Sequence, residues 1–129
     1  MATVISLLNH KGGVGKTTSA INIGAGLVEL GKRVLLVDLD PQANLSLSLG
    51  IPRQPVTIYE SIMGESDLSP FVVRENFHVI TSSLDLSSAE MELVNEAGRE
   101  FILRGLFAGV DEDYDFIIID CPPSLGLLT

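Results

Sequence analysis

Apolar residues come in blocks along this chain, and the spacing within each block changes. Thr3 to Leu8 (TVISLL) is short, rich in β-branched side chains and closed by glycines, which predicts a buried strand. From Lys16 to Leu30 the period lengthens: Ile21, Ala25 and Val28 stand at i, i+4 and i+7, and Ala20, Gly24 and Leu27 widen that face into a helical stripe. Gly31 stands where a left-handed C-terminal cap is expected, and the small Gly24 and Ala25 would let the helix lie close to a sheet. Arg33 to Leu39 (RVLLVDL) is nearly continuous in apolar residues, the pattern of a parallel strand covered on both faces, and Pro41 stops it. Strand, helix and strand in this order predict a right-handed βαβ unit.

Further along, VTIYESIMG (56–64) predicts a short helix and FHVITSS (77–83) a third strand. Ser87 to Val110 predicts one broken helix or two, interrupted at Gly98. YDFIIID (Tyr114 to Asp120) is the most apolar strand of all, and CPPSLG ends it sharply. Alternating strands and helices place the chain in the α/β class, with a largely parallel sheet flanked by helices. Without an internal repeat, a low-complexity segment or a linker, residues 1–129 read as a single domain. The chain stops at Thr129, just past a central-looking strand, where another helix would normally follow. The expectation is an N-terminal portion of a larger domain, with an unpaired sheet edge that could drive self-association.

With 46% hydrophobic residues in 129, a sizeable core can form. The net charge of -9 argues against unaided attraction to nucleic acid or anionic lipid. The charge is uneven: residues 1–40 hold four basic and three acidic side chains, whereas residues 41–129 hold four and fourteen. An anion site therefore belongs near the N-terminus. The single Cys121 allows no intrachain disulfide, and the N-terminal apolar run has neither a basic flank nor the length of a span, so a cytoplasmic protein is expected.

The anion site has a candidate in NHKGGVGKTT (Asn9 to Thr18). Between a strand and a helix N-terminus, glycines without Cβ atoms let successive backbone N–H groups turn inward around phosphates, where the helix dipole also favours negative charge. Lys16 supplies a cation for the β and γ phosphates, and the Thr17 hydroxyl can join the shell of Mg²⁺. The common phosphate-loop pattern G-x-x-x-x-G-K-[ST] fails at one position, where His10 replaces its first glycine. What stands instead is K-G-G-x-G-K-T-T, with the additional Lys11. The bland alternative is a glycine-rich turn with incidental lysines.

That variant resembles the deviant Walker A motif of the ParA/Soj and MinD group of P-loop ATPases. DLDPQANLSLSLG (Asp38 to Gly50) resembles the switch I region of ParA-type proteins, and FIIIDCPPSLG (Phe116 to Gly126) resembles their Walker B strand and switch II. With SLDLSSAEMEL included, the similarity spans essentially the whole chain. DPQ and CPPSLG resemble the ParA/Soj branch of partition ATPases rather than MinD. Nitrogenase iron protein, another relative, needs cluster-ligating cysteines that Cys121 alone cannot supply.

The resemblance implies roles for particular residues. Lys11, Gly12, Gly13, Val14, Gly15, Lys16, Thr17 and Thr18 would bind the phosphates of ATP, Thr18 at the α-phosphate. Lys11 would reach across a dimer to the nucleotide of the other subunit. Asp120, as the Walker B acid, would hold Mg²⁺ through water, with Thr17 and Asp40 completing the metal set. Asp40 would contact the attacking water or the metal and, with Lys11 and Lys16, form the catalytic group. Asp38 would be a supporting acid, its alternative a structural cap or pair. Pro122 and Pro123 would stiffen the turn into switch II near Gly126. No role falls to Cys121, His10 or His78.

The implied function is a Mg²⁺-dependent ATPase switch for chromosome or plasmid partition: ATP drives a homodimer, the dimer binds nonspecific DNA, and a ParB-like protein stimulates hydrolysis. Family regions beyond this sequence would carry the adenine pocket and the DNA surface, and so the nucleoid association; no membrane partner is expected. The alternatives are a noncatalytic nucleotide-binding or interaction fragment, and a MinD-like ATPase that positions membrane or protein cargo.

Overall fold

The computed structural model describes residues 2–7, 14–84, 86 and 99–121, with the backbone alone for residues 14–16 and 99–102. Among the described residues five strands are joined into one sheet: β1 (Thr3–Leu7), β2 (Val34–Asp38), β3 (Phe71–Arg74), β4 (Phe77–Ile80) and β5 (Phe116–Asp120). The helices described in full are α1 (Val14–Glu29), α2 (Asn44–Ser48), α3 (Ile58–Ile62) and α4 (Arg99–Ala108). The sheet order is β1-β5-β2-β4-β3. All neighbours run parallel except β3, which pairs antiparallel with β4.

Alternation along the strands builds two cores. Leu35 and Val37 of β2, Ile80 of β4, and Ile117 and Ile119 of β5 face one side, where they pack with Ile58 and Ile62 of α3 and Phe107 of α4. Val34 and Leu36 of β2, Phe77 and Val79 of β4, and Ile118 of β5 face the other, against Ala20 of α1 and Leu45 of α2. Every residue of β2 is buried, as its unbroken apolar run requires when helices cover both faces. Each fully buried aliphatic side chain contributes about 1.5–3 kcal/mol through the water it excludes.

Helix α1 occupies the predicted face: Ala20 and Gly24 are buried, and Ile21, Ala25, Leu27 and Val28 are packed partly buried against the second core. A Cβ on Gly24 would stand 3.0 Å from Phe77 Cε1 and 3.1 Å from Leu36 Cδ2, so glycine here sets the distance between helix and sheet. Gly31 caps the helix with φ of 85°, the conformation foreseen for it.

Three expectations need correction. β1 is a margin strand rather than a buried one: Thr3, Val4 and Ser6 are exposed, because among the described residues β1 pairs with β5 only. The segment at 77–83 is not the third strand but the fourth, since Phe71–Arg74 forms a β-hairpin with it through a turn at Glu75 and Asn76, where Asn76 adopts φ of 64°. Helix α2 was not foreseen, because its five residues are too few to show a period. The short helix at 56–64 and the strands at 33–39 and 114–120 are present, trimmed at their ends. Of the helical region 87–110, residues 87–98 lie outside those described.

Candidate active site at the carboxyl edge of the sheet

The parallel strands all end at one edge. Asp38 closes β2 and Asp120 closes β5, and the two are register partners on adjacent strands. Both are buried, at 0% and 1% exposure, although neither is an apolar residue. Burying carboxylates costs free energy unless they are hydrogen-bonded or near a cation, so this edge marks a built polar site.

Helix α1 delivers the first partner. Thr17, in its opening turns, is buried, and its hydroxyl donates to Asp120 Oδ2 at 3.1 Å. The strand that precedes α1 lies beside β5, which is why residues 103 apart in sequence meet here. Thr18 is exposed on the same helix.

Asp38 holds the chain that follows it. Its Oδ1 accepts from the Asp40 N–H at 3.1 Å, while its Oδ2 accepts from the Ser46 N–H at 3.3 Å and the Ser46 hydroxyl at 3.1 Å. Ala43, at the N-cap of α2, has φ of 58° and provides no side-chain cap, so the distant Asp38 carboxyl takes up that helix's N-terminal N–H instead. Burial raises the Asp38 pKa to about 7, and the Asp120 charge adds to the rise. The hydrogen bonds from Ser46 and Asp40 oppose it without cancelling it.

Asp40 heads a tight turn. Its carbonyl oxygen accepts from the Ala43 N–H at 2.8 Å, and its Oδ1 from the Gln42 N–H at 3.0 Å. The Ser82 hydroxyl, just beyond β4, also donates to the Asp40 carbonyl, at 2.6 Å. The Asp40 side chain is buried by this framing.

Thr17, Asp38, Asp40 and Asp120 are thus all at the carboxyl edge. Val14, Gly15 and Lys16 form the start of α1. Lys11, Gly12, Gly13, Pro122, Pro123 and Gly126 lie outside the described residues, as does His10. Cys121 is buried, and His78 is a strand residue whose Nδ1 lies 2.8 Å from the Tyr114 hydroxyl. Ser46 and Ser82 were missed by the sequence: single serines in short polar stretches carry no signal, and only tertiary placement brings them to the aspartates.

The available donors are hydroxyl and carboxylate oxygens, the hard ligands that suit Mg²⁺. Among the described residues, no group of three or more His, Cys, Asp or Glu side chains could hold a metal by itself. A site that shares Mg²⁺ with phosphate oxygens and water needs only one or two protein ligands.

A mostly parallel sheet flanked by helices, with a helix-borne threonine meeting a strand-end aspartate at its carboxyl edge, defines a P-loop NTPase-like α/β protein. The family model described as an AAA domain matches residues 2–129, and the chain belongs to that family. It is 50% identical over 133 residues to the chromosome-partitioning ATPase Soj of Treponema pallidum, covering 100% of this chain and 52% of that protein. The sporulation initiation inhibitor protein Soj of Bacillus subtilis is 46% identical over 134 residues, covering 100% of this chain and 53% of that protein.

Among solved structures, the cobyrinic acid a,c-diamide synthase of Mycobacterium smegmatis with bound ADP and magnesium matches with a TM-score of 0.93 and 45% identity. That match covers 99% of this chain and 54% of the other. A plasmid partition protein from Borrelia burgdorferi matches with a TM-score of 0.84 and 32% identity, over 98% of this chain and 58% of the other. The chain spans about half the length of the curated relatives it matches. Among the described residues, no helix is long and apolar enough to cross a membrane.

Proposed function

We propose that residues 1–129 are the N-terminal part of a single P-loop ATPase domain of ParA type, and that they bind Mg-ATP. The observation that carries this is the hydrogen bond from Thr17 to Asp120, which joins the start of the helix after the glycine-rich stretch to the end of β5. A phosphate-binding helix and a metal-binding acid need that proximity, because both must reach one nucleotide.

In this proposal the backbone N–H groups from Gly12 to Thr18 and the Lys16 ammonium hold the phosphates. Thr17 and Asp120, with Asp40, hold Mg²⁺, which when bound neutralises phosphate charge. Asp40 orients the attacking water, and Lys11 of one subunit completes the site of another. Catalysis is then positioning and charge stabilisation with little covalent work by the protein. ATP-dependent dimerisation, DNA binding and a ParB-like stimulating partner belong to the whole protein, which would act in chromosome or plasmid partition in the cytoplasm, at the nucleoid. Support for the cargo comes from relatives named for chromosome and plasmid partition.

The test is a calorimetric titration of the chain with Mg-ATP beside Lys16→Ala, followed by turnover assays of Asp40→Ala. Micromolar binding lost in the first variant, and binding retained with slowed turnover in the second, are expected. Binding that Lys16→Ala leaves intact would overturn the nucleotide site. Turnover unchanged in a folded Asp40→Ala variant would remove Asp40 from its role.

A further inference from the structure

We infer that Ser82 is a positioning residue for Asp40, acting through the main chain rather than on any bound molecule. Its hydroxyl donates to the Asp40 carbonyl oxygen at 2.6 Å inside the protein, across 42 residues of sequence. The same carbonyl closes the turn by accepting from the Ala43 N–H, and the Asp40 N–H is held in turn by Asp38. Both ends of the Asp40 residue are therefore gripped: its N–H from its own strand, its C=O from the end of β4.

The two grips have different origins, and this makes Ser82 informative. Asp38 precedes Asp40 by two residues and would travel with it. Ser82 follows β4 by two residues, and β4 is paired with β2 up to Val37 and Ile80, so it ties the turn to the end of the sheet. A turn starting Asp-Pro with Ala43 in a left-handed conformation is strained locally, and one carbonyl that accepts two donors offsets that strain. Without the hydroxyl the turn keeps the Ala43 bond but loses its anchor to β4. The Asp40 carboxylate then samples a wider range of directions, and reactions that depend on position lose rate steeply with small displacements.

The catalytic part of this inference rests on the ATPase proposed above; the clamp itself does not. The test compares the parent chain with Ser82→Ala and Ser82→Thr by amide hydrogen exchange and by ATP binding and turnover. Expected for Ser82→Ala is about fivefold to tenfold faster exchange at Gln42 and Ala43, the factor one ordinary hydrogen bond is worth. The Leu36 amide, in mid-strand, should be unchanged. Turnover should fall by a similar factor while ATP affinity stays within about twofold, and Ser82→Thr should restore both.

Unchanged exchange at Gln42 and Ala43 in Ser82→Ala would overturn the clamp. Faster exchange with unchanged turnover would overturn its catalytic consequence. A parent chain that never turns over ATP, while Ser82→Ala still accelerates exchange, would overturn turnover by residues 1–129 and the catalytic consequence together and leave the clamp standing.

Discussion

The hydroxyl of Thr17 donates to a carboxylate oxygen of Asp120, so the first turn of α1 and the last residue of β5 share one buried contact at the edge of the sheet. A hydroxyl already turned toward a carboxylate is preorganised for a shared cation. Thr17→Ala should therefore weaken Mg-ATP binding about tenfold or more, as loss of a hydrogen bond to a charged group does. Binding of ATP in the presence of a chelator should change little, and Thr17→Ser should restore the difference. Calorimetric titrations with and without Mg²⁺ check this; equal losses under both conditions would refute a metal-linked role.

Asp38 should make stability depend on pH. Its carboxyl is raised by burial from the ordinary 3.8 to about 7, so the folded state holds a proton that the unfolded state has already released between those values. The contribution is fully present below about pH 4 and is lost as pH rises through about 7, on the order of 4 kcal/mol. Asp38→Asn removes the titration but keeps one acceptor oxygen where the carboxyl had two, so it loses either the Asp40 or the Ser46 hydrogen bond at both pH values. Urea unfolding at about pH 4.5 and about pH 7.5 should show a smaller fall for the variant than for the parent.

Two glycines of α1 should respond oppositely to substitution. Gly24→Leu forces side-chain volume into Phe77 and Leu36 and should cost about 1–3 kcal/mol by overpacking. Gly26 has nothing within 4 Å of its would-be Cβ, so Gly26→Ala should stabilise by about 0.5–1 kcal/mol through helix propensity and a less flexible unfolded chain. Denaturant midpoints of the two variants, moving in opposite directions, check the assignment.

The margin strand β1 should make the chain associate. Residues 3–7 contain no charge and no proline, the usual protections of an edge, and Val4 is half exposed. Sedimentation velocity should show association that grows with protein concentration, and Val4→Lys should reduce it. An equally associating Val4→Lys variant would place the contact elsewhere.

The site was partly legible in residues close in sequence. Lys16 and Thr17 follow the glycines directly, and Asp120 ends the most apolar run, so local pattern was enough to single them out. A structural cap was the alternative reading of Asp38, but its partner was not legible, because acceptance from Ser46 depends on how the chain turns at Asp40 and re-enters as α2. Ser82 was less legible still, since its one distinguishing property is a neighbour 42 residues away.

Periodicity alone settled the α/β class, the extent of α1 with its glycine cap, and the apolar runs of β2 and β5, because burial of one helix face or of a whole strand writes itself into consecutive residues. Strand order was decided only in three dimensions. β5, the last of the described strands in sequence, lies between β1 and β2, and that insertion sets Asp120 beside Asp38 and against Thr17. Among the described residues the same order leaves β1 at the margin despite its apolar composition. A local pattern records how much of a segment is buried, whereas its neighbours follow from long-range pairing that no short stretch of sequence encodes.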